Sequence, residues 1–335
     1  MLLRTLFVGT ALLFGSLSAY AIPEKGYAEA YFETIVPFLN SGEIGLFPTR
    51  DGMNLAYIRF VHPNSKGAIL VLPGQGEPWL KYGEVLYDLY QKGYSVYSYD
   101  HRGQGLSPHL SSKGHEIGHI DRFAAYTEDL EDFIDRILLP PGGESKYFLL
   151  AHSMGGAIAA DYLSRGKTPF KAAVLSSPML TINTKPYPRF VGRTLAALAI
   201  RYGQDKSYAQ GQGDFDPGLP FEKNKVTSSP ERFWMSTSVF RSNPRAVIGG
   251  VSYGWVYRAL KATPKIVRKM KGITTPVLMF QAGRDQFLKS KGQNKGCGST
   301  PTCSIRTFGD SQHEVLMERD VIRDSAMAAV EAFFQ

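Results

Sequence analysis

Two short patterns in the chain could each organise a hydrolytic centre. The first is His115-Glu116-Ile117-Gly118-His119, which fits H-E-x-x-H, two histidines one helical turn apart that hold zinc beside a glutamate base. The second is Ala151-His152-Ser153-Met154-Gly155-Gly156, a serine flanked two residues away by small side chains. That is the pattern of a nucleophile elbow, where a sharp strand-to-helix turn holds the hydroxyl clear for a base to reach it. A zinc peptidase and a serine hydrolase are different enzymes, so at most one pattern is the centre.

The zinc pattern needs its histidines on one regular helix, so that residues four apart share a face. Gly114 and Gly118 flank and interrupt it, and each glycine inside a helix costs about 1 kcal/mol. Asp121 reads as the N-cap of the helix that follows. Arg122 stands where the longer metzincin pattern wants glycine, and nothing places Glu128 or Glu131 as a third ligand. The serine pattern sits in a better context. "YFLLAHSMGGAIAADYL" reads as a buried strand, a turn and a helix, and Ala151, though not glycine, is still small.

A serine needs a base, and chain order selects one. The histidines are His62, His101, His109, His115, His119, His152 and His313. Where a nucleophile elbow is used, the acid and then the histidine follow the serine, and His313 is the only histidine after Ser153. The acid belongs at the end of the preceding strand, which puts Asp285 in "QAGRDQF" first and Asp310 second. An oxyanion hole requires two backbone N–H groups aimed at the developing charge. Met154, directly after the serine, would supply one. The glycine-rich "PGQGEP" after the strand "GAILVLP" would supply the other, from Gln75.

These residues need a rigid frame. Apolar runs alternate with helical patterns, which indicates a mostly parallel sheet with crossover helices. The expected strands are "NLAYIRFVH", "GAILVLP", "YSVYSYD", "KYFLLAH", "AAVLSS", "TPVLMFQA" and "SIRTF", with helices over 79–92, 121–139, 154–165 and 320–334. The rhythm stops over 178–271 and resumes afterwards, so that segment reads as an insertion between two strands of one sheet. The expected organisation is a signal peptide over 1–21, an N-terminal extension over 22–45, core over 46–177, the insertion over 178–271 and core again over 272–335.

Residues 1–21 combine one early cation, Arg4, with an apolar run from Leu6 to Leu17 and small residues at Ala19 and Ala21. This is the layout of a cleaved export signal. The alternative is a membrane anchor, but the run is shorter than the roughly 20 residues a span needs. Export to the periplasm or the exterior is therefore expected. Removing the segment takes the net charge from +8 to +7, because Arg4 is its only charged residue. A basic exported protein suits anionic surfaces such as lipid headgroups, and no module suggests nucleic acid. Cys297 and Cys303 lie close in sequence. They make a poor zinc pattern and could pair in an oxidising compartment.

With these residues assembled, the chain resembles the bacterial lysophospholipases and related monoacylglycerol lipases of the α/β-hydrolase fold. The matching pieces are "YDHRGQGLS", "GHIDRF", "AHSMGGAI", "VTSSPERF", "QAGRDQF" and "HEVLMERD". The resemblance implies a mostly parallel central sheet with helices on both faces and an inserted cap. It implies Ser153 as nucleophile, Asp285 as acid, His313 as base, and the Gln75 and Met154 amides as the oxyanion hole. It also gives "GHIDRF" a structural role before the long helix. One departure is Pro73-Gly74, where many monoacylglycerol lipases carry a histidine-glycine pair.

The insertion contains "RFVGRTLAALAIRYG", with Val191, Thr194, Leu195, Leu198, Ala199 and Tyr202 at helical spacing and Arg189, Arg193 and Arg201 on the flank. Such a helix can lie on a lipid surface or pack on its own domain. Lys261, Lys265, Arg268 and Lys269 add further positive charge. The expected reaction is hydrolysis of one acyl ester on a lysophospholipid or monoacylglycerol, with no metal or organic cofactor. A general carboxylesterase, a zinc peptidase and a non-catalytic binding protein are the competing readings.

Overall fold

In the computed structural model, residues 22–140 and 143–335 are described. The expected export signal, 1–21, lies outside them. The described residues form one eight-stranded sheet in the order β1-β2-β4-β3-β5-β6-β7-β8. The strands are β1 (Glu43–Pro48), β2 (Asn54–Phe60), β3 (Ala68–Leu72), β4 (Ser95–Tyr99), β5 (Tyr147–His152), β6 (Phe170–Ser176), β7 (Val277–Ala282) and β8 (Cys303–Phe308). The pairings of β1 with β2 and of β2 with β4 are antiparallel. The pairings that join β3 to β8 are parallel. This is the α/β-hydrolase arrangement that the motifs imply.

The apolar runs become central strands because both faces of the sheet are covered. Side chains alternate along a strand, so Leu70, Leu72 and Leu149 enter one core with Phe47, Phe133 and Met154. Ile69, Val71, Phe148 and Leu150 enter the other with Trp79, Leu86, Phe280 and Phe334. β1 has no counterpart among the expected strands, and it crosses the expected boundary at 45/46. It is an edge strand on which only Phe47 is buried, so it carries no apolar alternation. Ahead of it, α1 (Tyr27–Ala30), a π-helical turn (Tyr31–Ile35) and α2 (Val36–Ser41) bury Tyr27, Tyr31 and Ile35.

The helices α3 (Gly83–Gln91), α4 (Ala124–Phe133), α5 (Ser153–Leu163) and α10 (Asp320–Phe334) match the expected ones. Asp121 is not an N-cap: α4 starts at Ala124 with no side-chain cap, and the Asp121 carboxylate pairs with His119 Nε2 at 3.1 Å instead. Between β6 and β7 the chain inserts α6 (Arg189–Arg201), α7 (Pro230–Ser242) and α8 (Tyr253–Lys269). A further helix, α9 (Ser290–Gly298), precedes β8.

α8 encloses Pro264, which has no N–H to give the carbonyl four residues back. That carbonyl, Leu260 O, accepts from the Arg189 guanidinium of α6 instead. A helix interrupted by proline is thus completed by its neighbour, a long-range contact that the basic stretch over 257–272 does not signal by itself. Arg232 of α7 ties the insertion to the rest. It is buried and donates to Glu84 of α3, to Asp320 of α10 and to the carbonyls of Ile22 and Glu318.

Candidate active site

Ser153 follows the end of β5 and opens α5 with φ of +48°. The left-handed region costs an L-residue roughly 1–2 kcal/mol, and the close packing around this turn imposes it. A Cβ on Gly155 would sit 2.5 Å from Pro73 O, and one on Gly156 would sit 2.8 Å from the Pro178 side chain. Those two glycines let the turn pass under the neighbouring strand end, while fully buried Ala151 occupies the remaining small position.

The loops beyond β7 and β8 reach the same sheet edge. His313 Nε2 lies 2.9 Å from Ser153 Oγ, and His313 Nδ1 lies 2.7 Å from Asp285 Oδ2. Ser153 is 8% exposed and His313 7%, so both are nearly dry. A carboxylate accepts, so Nδ1 carries the proton and Nε2 offers a lone pair to the serine hydroxyl. Asp285 Oδ1 accepts from the amides of Phe287 at 2.8 Å and Leu288 at 3.0 Å. Burial works to raise the Asp285 pKa, but the bond to His313, its charge and the two amides outweigh that and hold the carboxyl below its ordinary range. Asp310, the second choice for the acid, is exposed in the turn after β8.

This geometry can move a proton from Ser153 to His313 while Asp285 stabilises the imidazolium. Gln75 lies in the loop after β3, and Met154 in the first turn of α5. No hydrogen bond from the Gln75 amide is present among the described residues.

Sequence reasoning missed a buried charge network beside the site. Lys81 donates to Glu77 at 2.7 Å and also to Glu314, the residue after His313. Glu77 also accepts from Tyr82 Oη at 2.6 Å and from the Gly74 amide at 2.7 Å. Burial opposes the charge on Glu77, yet Lys81 and the hydrogen bonds keep its pKa well below the carboxylate range. Burial pushes Glu314 up to about 7. In sequence these residues look like solvated charges, and only the Lys81–Glu77 spacing of one helical turn hinted at a pair.

The H-E-x-x-H residues are not on a helix. His115 Nε2 faces Arg245 O, Glu116 accepts from the Phe215 amide, and His119 Nδ1 faces Ser252 Oγ. The stretch instead seats the insertion: the Gly249 amide donates to Glu116 O and the Ser252 amide to Gly118 O. Among the described residues, His119, Asp121 and Asp205 do bring possible metal-ligand atoms within 4.8 Å of one another. Arg258 already pairs with Asp205 there at 2.6 Å.

Comparison with known proteins agrees with this architecture. The Escherichia coli protein named lysophospholipase L2 is 29% identical over 319 residues, 93% of each chain. The rat monoglyceride lipase is 25% identical, covering 83% of this chain and 85% of its own. Among solved structures, a soluble variant of the Saccharomyces cerevisiae monoglyceride lipase superposes with a TM-score of 0.69 at 19% identity, over 88% of this chain and 95% of that one. The model of the Hydrolase_4 family, described as serine aminopeptidase S33, matches residues 63–320, and the chain belongs to that family.

Proposed function

We propose that the protein is a lysophospholipase that acts outside the cytoplasm, through Ser153, His313 and Asp285. The broader class, an ester-hydrolysing serine hydrolase, is the one that the lipolytic relatives share. The observation that carries the proposal is the continuous hydrogen-bonded path from Ser153 Oγ through His313 to Asp285 at a strained turn.

In this reading Ser153 Oγ attacks the acyl carbonyl while its proton passes to His313 Nε2. The carbonyl oxygen becomes an oxyanion held by the Gln75 and Met154 amides, where each donor is worth about 10²–10³ in kcat. The C–O bond to the glycerol breaks, and the leaving oxygen takes the proton from His313. Water then gives one proton to His313 and its oxygen attacks the acyl-serine; the bond to Ser153 Oγ breaks as His313 returns that proton to it, and the fatty acid leaves, ionising in solvent. Asp285 holds the imidazole in the required tautomer throughout.

Two further elements of the proposal concern location. The bonded pair Cys297–Cys303 supports an oxidising compartment. On α6, Phe190 is 68% exposed and Leu195 and Leu198 also face outward, and Tyr202 just after the helix is 76% exposed. An apolar outer face with arginines beside it supports peripheral contact with an anionic membrane surface.

The runner-up is a monoacylglycerol lipase, favoured by the likeness to the rat enzyme. Turnover of lysophosphatidylcholine, lysophosphatidylethanolamine, monoacylglycerol and short nitrophenyl esters separates the readings. The proposal expects kcat/KM to be highest on the lysophospholipids. Preference for monoacylglycerol installs the runner-up, and cleavage of the short esters alone makes the protein a general carboxylesterase.

A further inference from the structure

We propose that Gln104 is the positioning residue for the oxyanion-binding loop, its one carboxamide setting the orientation of the peptides on either side of Gln75. The inference rests on the reading of Ser153 and of the Gln75 amide given above. Gln104 lies after β4 in "DHRGQG" and is 3% exposed. Its Nε2 donates to Gly74 O at 2.8 Å and to Glu77 O at 3.1 Å, and its Oε1 accepts from the Gly76 amide at 3.1 Å. The partners flank Gln75 on both sides, whereas the Gln75 amide itself is left without a partner among the described residues. A donor that must meet an oxyanion has to be free in this way, and its direction has to be set by its neighbours.

The partners also dictate which way the carboxamide points. Reversed, Oε1 would face two carbonyl oxygens and Nε2 would face an N–H, so all three contacts would be repulsive. The loop cannot easily hold its own shape. Gly76 sits at φ of +73°, a region that glycine enters freely and leaves as freely. A second tie, from the Gly74 amide to Glu77 Oε2, fixes the start of the loop, and Lys81 joins Glu77 to Glu314 beside His313. Gln104 adds contacts to Gly74, Gly76 and Glu77 at once, on both sides of Gln75.

The test uses the full chain with Gln104→Met, which keeps the bulk and removes the bonds, and Gln104→Glu, which sets a carboxylate oxygen against the two carbonyls. Complete reaction with a fluorophosphonate, mapped to Ser153, counts competent sites, and kcat and KM for nitrophenyl butyrate are then expressed per site. A positioning role predicts that kcat per site falls about 10-fold in Gln104→Met and about 100-fold in Gln104→Glu, with KM within about twofold. A merely structural role lowers the number of competent sites and leaves turnover per site unchanged, and that result overturns the proposal. If the wild-type protein is not labelled at Ser153 at all, the reading of the site itself falls, which is a distinguishable failure.

Discussion

Asp285 meets His313 with one carboxylate oxygen, at 2.7 Å, and spends the other on two backbone amides of its own loop. The division matters because it leaves the aspartate no freedom to turn. An asparagine at that position must keep its carbonyl oxygen toward the Phe287 and Leu288 amides, so its NH₂ faces His313 Nδ1. The imidazole then has to carry its proton on Nε2, and it can no longer accept one from Ser153.

Asp285→Asn is therefore expected to lower kcat by about 10³–10⁴ with little change in KM. Steady-state kinetics on a soluble ester check this. A loss of less than about tenfold would mean that Asp285 is not the partner on which the histidine depends.

Two buried histidines beside the site couple stability to pH. Burial depresses His101 to about 4 and His152 to about 3, against roughly 6.5 in an unfolded chain. Both are held neutral in the folded protein, so the unfolded chain binds more protons, and their contribution is complete above about pH 6.5 and lost as pH falls toward 4. Asp100 and Glu314, each raised to about 7 by burial, oppose this trend over an overlapping range. A difference measurement isolates one group. His101→Gln, which can still donate to Pro73 O as His101 Nε2 does at 3.1 Å, should flatten the rise of unfolding free energy with pH. The change is up to about 1.4 kcal/mol per pH unit between roughly pH 4.5 and 6.5. Parallel curves for the two proteins would remove His101 from the account.

The Cys297–Cys303 pair joins the end of α9 to the start of β8. Cys303 is in register with Val277, the first residue of β7, whereas the site lies at the opposite ends of these strands. Closing so short a loop restricts the unfolded chain by about 2 kcal/mol. Replacing both cysteines by serine should therefore lower unfolding free energy by about that amount and leave kcat within about twofold. Denaturant titration and kinetics on the same preparation test both halves, and a large fall in kcat with stability intact would contradict the assignment.

The parts of the molecule legible in the sequence are those whose pattern is local. β3 to β6 are buried on both faces and read as apolar runs, and Ser153, Asp285 and His313 could be named because each follows a strand end in the order that an elbow requires. What stayed hidden depends on partners far along the chain. β1 has one buried side chain, α8 needs Arg189 to complete the turn at Pro264, and Lys81 becomes a core residue only where Glu77 and Glu314 converge on it. His115-Glu116-x-x-His119 shows the converse. The residue types fit a metal site, but without a helix their donor atoms diverge to three separate partners.

The most direct test of the account is to trap the acyl-accepting atom. Brief mixing with a lysophospholipid followed by acid quench and peptide mass mapping should find a fatty acyl group on Ser153, and Ser153→Ala should lose both the adduct and lysophospholipid hydrolysis while remaining folded. Hydrolysis that persists in Ser153→Ala, or an acyl group found on another residue, would contradict it.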